Sequence, residues 1–240
     1  MKNKSYIGIT LVLLVFGIWA IPKIVDGLKN DKVVEADRLN KVVKTKKSGL
    51  RVIDNAPGFS LTNQHNQTIT NETLLGKVYV LEFFFSTCPT ICPIMNRNLV
   101  DVEKKFADHN GFGIVSVTIN PKYDTPEILK KHSEHLGITS ENWHFLTSES
   151  QDEIHKLARK FNMYVGENLD APGGFEHSGL FALIDKEGKI RCRNDKHGNP
   201  ILYYSALNFL DEEGFEEDPY GEFRPGVNAI MEDIEKLLNE

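Results

Sequence analysis

Cysteine is scarce in this chain. Three of its 240 residues are cysteine, too few to staple a small domain through a disulfide framework. Positive charge is also short: 28 Lys and Arg stand against 34 Asp and Glu, a formal net charge of -6. No basic footprint is left for a phosphate backbone, which excludes nucleic acid as an expected partner. The chain shows no internal repeat and no Arg-rich, Ser-rich leader. No cysteine follows its apolar N-terminal run, so a lipid anchor on cysteine is not indicated. What is present, 40% hydrophobic and 26% charged residues, is ordinary globular composition and leads to an expectation of one folded domain.

The apolar run spans Tyr6 to Ile21, follows Lys2 and Lys4, carries no charge and is closed by Pro22 and Lys23. Its length as a helix is about 24 Å, and Ile24 and Val25 extend it toward the ~30 Å of a bilayer core. A secretory signal shares the charged start, but Gly17 to Pro22 offers no small-x-small cleavage site. Residues 1–25 are therefore expected to form a transmembrane anchor in a bacterial inner membrane, single-pass, with the C-terminal domain facing the periplasm. Residues 26–50, dense in Lys, Asp, Glu and Arg, read as a charged stalk, and residues 51–240 as the folded domain.

Within that domain, Ala56 to Gln67 suggests a short hairpin around a polar turn. Val78 to Phe85 is a nearly unbroken apolar run rich in β-branched and aromatic residues, as a strand buried on both faces requires. Ser86 to Pro93 follows, then Ile94, Met95, Leu99, Val102 and Phe106 at helical spacing. Gly113 to Ile119 predicts a strand, Thr125-Pro126-Glu127 a helix start, Trp143 to Leu146 a strand and Gln151 to Phe161 a helix. Leu180 to Ile184 and Lys189 to Arg193 predict an antiparallel hairpin, and Asn228 to Leu238 a closing helix. The alternation implies an α/β fold, a central mixed sheet flanked by helices. The stretch 193–225, acidic from Asp211 to Glu222, reads as an inserted loop exposed to solvent. No exposed apolar stripe beyond the anchor stands out, so a monomer is expected.

The chemistry concentrates in Cys88 and Cys92. Pro93 fits only a first helical turn, so the helix should begin at Cys92 or Pro93 with Cys88 in the preceding turn. Free N–H groups at a helix N-terminus favour thiolate, which is both nucleophile and metal ligand. Residues four apart in a helical turn have Cα atoms about 6 Å apart, within disulfide range. The same two sulfurs are soft ligands suited to Cu(I). Spacing alone leaves redox work and metal binding both open. Neither a threonine three residues ahead of an attacking cysteine nor a two-residue spacing after tryptophan is present, which argues against a peroxiredoxin and a thioredoxin-type reductase. Packing alone is a poor explanation for paired cysteines between prolines at a strand-helix junction.

With these residues in view, the chain resembles the Sco/SenC family, thioredoxin-fold copper proteins that help assemble the copper A centre of cytochrome c oxidase. The resemblance covers the anchor, Phe84 to Pro93 (FFSTCPTICP), Val117 to Ile128 (VTINPKYDTPEI) and Phe175 to Ile190 (FEHSGLFALIDKEGKI). It implies a thioredoxin-like fold and a copper site made by Cys88, Cys92 and His177. It also implies copper as cargo, as Cu(I) and with Cu(II) open, and the copper A-bearing subunit of cytochrome c oxidase as partner. On this view the chain is a metallochaperone and not an enzyme; the alternative is a thiol-disulfide oxidoreductase that keeps the copper A subunit cysteines reduced, using Cys88 and Cys92 as its catalytic pair. Thr90 and Asn120 stand where family members often carry acids, whereas Asp124 matches. His132 and His135 share a helix face without a clear metal partner. The other histidines read as surface or core-edge residues, and Cys192 as an unpaired thiol.

Overall fold

Seven consecutive buried residues, Val78–Phe84 (β4), form the axis of the domain. A strand with both faces covered cannot alternate with polar residues, and burying each large side chain of this strand contributes about 1.5–3 kcal/mol. Phe112–Thr118 (β5) pairs with one edge of β4, Trp143–Thr147 (β6) with β5, and the late strand Leu180–Ile184 with the other edge of β4. β4, β5 and β6 are parallel neighbours in register Val78↔Phe112 and Ile114↔Trp143. Each parallel step needs a crossover. These are supplied by Cys92–Phe106 (α1) between β4 and β5 and by Pro126–His135 (α2) between β5 and β6. The Thr125 side chain accepts from the Ile128 N–H and caps α2, with Pro126 in the first turn.

The structure is a computed structural model and describes residues 48–195, 197–207 and 226–240, together with 14, 16, 18 and 19. Around the parallel trio the sheet is antiparallel. Arg51–Asn55 is β1, Ser60–Asn63 β2 and Thr68–Thr70 β3. After Gln151–Lys160 (α3) come Val165–Glu167 (β7), Phe175–His177 (β8), Leu180–Ile184 (β9), Lys189–Asn194 (β10), Pro200–Ile201 (β11) and Tyr204–Ser205 (β12). The main sheet runs β1-β10-β9-β4-β5-β6-β2-β3, with β11 on β10 and β12 on β9. β7 and β8 pair only with each other, as a separate two-stranded sheet. Gly226–Leu238 (α4) packs its apolar face, including Ile230 and Ile234, into the core. The mixed sheet flanked by helices is the expected fold class.

Several differences from the sequence reading have plain causes. β7 and β8 are three residues each, too short for any periodicity to show, and β1 is half-exposed. The expected loop 193–225 starts inside β10, and its described part carries β11 and β12 on the main sheet; the acidic residues from Asp211 to Glu222 lie outside the described residues. The chain divides into Met1–Val43 and Lys44–Glu240. Of the first unit Leu14, Phe16, Ile18 and Trp19 are described, and they are helical and exposed. Among the described residues no helix is long and apolar enough to cross a membrane. Of the expected stalk 26–50, residues 48–50 are described and belong to the domain, with Leu50 buried, because Ser48 and Leu50 bond the buried Arg191; the rest of the anchor and stalk lies outside the described residues.

One buried ion cluster ties both ends of the domain together. Arg191, fully buried, meets Asp185 Oδ2 at 2.8 Å and Glu240 Oε2 at 3.0 Å. It also donates to Ser48 Oγ at 2.8 Å and the Leu50 carbonyl at 3.1 Å. Removing one partner of such a cluster strands a buried charge. Arg191→Ala is expected to lower stability by about 3–5 kcal/mol, read as a drop in the urea midpoint; an unchanged midpoint would contradict the clamp.

Candidate metal centre

At Phe84 the central strand ends and the chain must turn before α1 can begin. The Cys88 N–H donates to the Phe85 carbonyl at 3.2 Å, closing that turn, and Ile91 enters the helix with no side-chain cap. Cys92 and Pro93 are the first two helical residues, as their sequence implied. The uncapped first turn leaves backbone N–H groups for the sulfurs, and the Cys92 N–H bonds Cys88 Sγ. Both cysteines are buried and unbonded to each other.

The third donor comes from the separate β7–β8 hairpin. His177 closes β8, paired with Val165, and the next residue donates its N–H to the Tyr164 carbonyl. Its Nε2 stands 3.1 Å from Cys92 Sγ and its Nδ1 3.3 Å from the Ser178 carbonyl. The Ser178 carbonyl accepts from Nδ1 and so turns Nε2 toward the cysteines, the usual way a second partner fixes a ligating imidazole. Cys88, Cys92 and His177 place one ligand atom each within 4.8 Å of one another, the one such group among the described residues.

The two thiols are held unlike each other. The Cys92 thiol donating to Cys88, helped by His177, the Thr90 hydroxyl and the Cys92 N–H, holds the Cys88 pKa well below the usual thiol range against the effect of burial. That same coupling, and then burial, drives Cys92 well above it. The two sulfurs are in contact but in unlike surroundings. Thr90 Oγ1 lies 3.5 Å from Cys88 Sγ, so a neutral hydroxyl occupies the place of the absent acid.

Two buried acids lie close by. Asp124 accepts from the Ser86 N–H at 3.1 Å and from the Ser86 and Thr118 hydroxyls, and so pins the chain two residues ahead of Cys88. Glu82, on β4, accepts from Ser116 Oγ at 2.7 Å, which in turn accepts from Trp143 Nε1 at 3.0 Å. Its Oε2 has no hydrogen-bond partner among the described residues. Burial pushes the Glu82 pKa up to about 7, and its charge adds to the rise at Cys92. The sequence reading passed over Glu82, although a single acid inside VYVLEFFF is itself a signal, because an unpaired carboxylate in a buried strand is costly.

The remaining candidates sit elsewhere. His132 contacts Asn96 at 3.2 Å and stacks on Phe84, while His135 is exposed, so the pair does not converge. Cys192 is free, fully buried within β10, and burial pushes its thiol up to about 11.

Comparison with known proteins bears on this site directly. Residues 51–209 match the family model described as SCO1/SenC. The chain belongs to the SCO1/SenC family. Within the family, the SCO1 protein homolog of Bacillus subtilis is 32% identical over 133 residues, 55% of this chain and 69% of that one. A Stutzerimonas stutzeri protein named for copper binding is 25% identical over 147 residues, 56% of this chain and 66% of that one. The solved structure of BsSco is described as having a disulfide switch and belonging to the Sco family of cytochrome c oxidase assembly proteins. It superimposes with TM-score 0.59 at 26% identity over 78% of this chain and 95% of that one. The share of the curated relatives' own length that is matched runs from 44% to 69%. The fold and the family are those implied by the motifs around Cys88, Cys92 and His177.

Glu82 carries a testable consequence. Its folded pKa lies above the ordinary 4.5, so the folded chain keeps a proton that the unfolded chain releases, and stability falls as pH rises from 4.5 toward 7. The size of that contribution is about 3 kcal/mol. Urea unfolding of the wild type and Glu82→Gln across this range should show that decline reduced in the variant. Parallel pH profiles would contradict the buried, protonated acid.

Proposed function

We propose that this chain is a copper metallochaperone: Cys88, Cys92 and His177 hold one copper ion, taken up as Cu(I), and pass it to the copper A-bearing subunit of cytochrome c oxidase during its assembly. The observation that carries the reading is the convergence of two sulfurs and one imidazole nitrogen within 4.8 Å. Two thiolates and an imidazole form a soft set suited to Cu(I). The naming of a relative for copper binding and the description of BsSco as an oxidase assembly protein support the same reading.

Both sulfurs bind copper as thiolates, so any thiol proton the pair still holds leaves on loading, and binding tightens with rising pH. Delivery is ligand exchange. Bonds from copper to Cys88, Cys92 and His177 break as bonds to the partner's ligands form, with no change in oxidation state. Half-burial of His177 leaves one side of the centre open for that exchange. In this reading residues 1–25 anchor the chain in a bacterial inner membrane and 26–50 hold the domain 51–240 off its surface, facing the periplasm.

A second reading, a thiol-disulfide oxidoreductase acting on the same subunit's cysteines, is favoured by one observation. Cys88 and Cys92 are both free and lie together at the start of α1, and BsSco is described as having a disulfide switch. The two readings part at His177, which dithiol exchange does not require.

His177→Ala is expected to weaken Cu(I) binding by about tenfold or more and to abolish oxidase assembly in a strain that depends on this chain, while the thiol pair still cycles between dithiol and disulfide. Should His177→Ala support assembly fully while Cys88→Ser and Cys92→Ser do not, the oxidoreductase reading replaces the metallochaperone.

A further inference from the structure

Phe85 touches every part of the centre. Its carbonyl accepts the Cys88 N–H at 3.2 Å, and its own backbone N–H interacts with the Cys92 sulfur. Its ring, 1% exposed, meets the imidazole of His177 edge-on with centroids 5.8 Å apart and planes at 79°. The Phe175 ring of the same hairpin lies 5.5 Å away. From the other side the loop that leads into β8 comes down on Phe85 at Gly173. A Cβ there would stand 2.8 Å from the Phe85 ring and 3.2 Å from Pro89 Cδ, and φ of +83° excludes most side chains in any case.

This matters because β7 and β8 pair with each other and not with the main sheet. No ladder hydrogen bond from β4 or β9 to β8 holds the hairpin, so beyond the Nδ1 contact with the Ser178 carbonyl, which turns the ring, the place of His177 over the sulfurs comes from side-chain packing. Aromatic pairs at these separations have a preferred geometry, which a ring imposes and an aliphatic side chain does not. The close approach of Gly173 lets that packing extend over the Pro89 ring, directly above the cysteine turn.

We infer that Phe85 is the positioning residue of the centre: its backbone holds the two sulfurs, and its ring, clasped by Gly173 and Phe175, holds His177 over them. The inference rests on the metallochaperone reading for its consequence in copper affinity, and on geometry alone for the placement of the imidazole. Division of labour within one residue is what makes it testable. Substitutions of the ring should disturb His177 and leave the dithiol alone.

The test uses the purified full chain in reduced form, Cu(I) measured against a chromophoric chelator, and imidazole-ring NOEs. Phe85→Leu and Gly173→Ala are each expected to lower Cu(I) affinity by about tenfold and to erase the NOE between the His177 ring and the Cys92 β-protons, while Cys88 and Cys92 still close to an intramolecular disulfide on oxidation. In a double-mutant cycle, adding either change to His177→Ala should cause no further loss of affinity, because all three act through one ligand. Wild-type affinity in both folded variants, or losses that add in full to that of His177→Ala, would overturn the inference. If Phe85→Leu does not fold, Gly173→Ala decides. If the wild type takes up no Cu(I), the metallochaperone reading has failed, and the NOE arm still decides the placement: retained in both variants it overturns the role of Phe85, lost in both it supports it.

Discussion

A strand buried on both faces has no polar side on which to place its chemistry, and β4 is such a strand along its whole length. The reactive groups must therefore stand where the strand stops. Everything at this centre follows from that junction. The chain turns through the Cys88 N–H to Phe85 carbonyl bond, and Pro93 admits helix only from its first turn, so the Cys88 sulfur meets the Cys92 N–H at the start of α1. Charge on sulfur is favoured at that end and nowhere else along the helix.

The same junction explains why the surroundings are polar beneath and apolar beside. Under the turn, Asp124 satisfies Ser86 through backbone and side chain, and further down the strand Glu82 is bonded through one carboxyl oxygen to Ser116. Beside it, Phe85, Phe175 and Gly173 shut one flank and leave the half-exposed His177 at the edge. Such a set of two sulfurs and one imidazole nitrogen suits a soft cation, which competes with protons for the sulfurs. Thr90 in place of an acid keeps a further negative charge off this small volume.

Much of the scaffold could be read from residue order because its signals are long or sharp. VYVLEFFF runs for more than a turn of either periodicity, Thr125-Pro126 is a helix start by capping chemistry alone, and Leu180 to Arg193 carries its own turn. The two cysteines were visible through spacing and flanking prolines. His177 was different. A histidine ahead of a strand has no local signature of ligation, and it was found through family resemblance; its placement depends on a hairpin of three-residue strands that no pattern reveals. Glu82 and Phe85 stayed hidden for a related reason, since both sit inside an apolar run and their roles depend on Ser116, His177 and Gly173, which are remote in sequence.

The central claim is that two sulfurs and one imidazole nitrogen together form a copper-holding centre. X-ray absorption at the copper K edge of the Cu(I)-loaded full chain tests it most directly. The account predicts one copper per chain with a first shell of two sulfur scatterers and one nitrogen, the nitrogen and its outer imidazole scattering disappearing in His177→Ala. A shell of sulfur alone in the wild type, or a spectrum unchanged by His177→Ala, would contradict it.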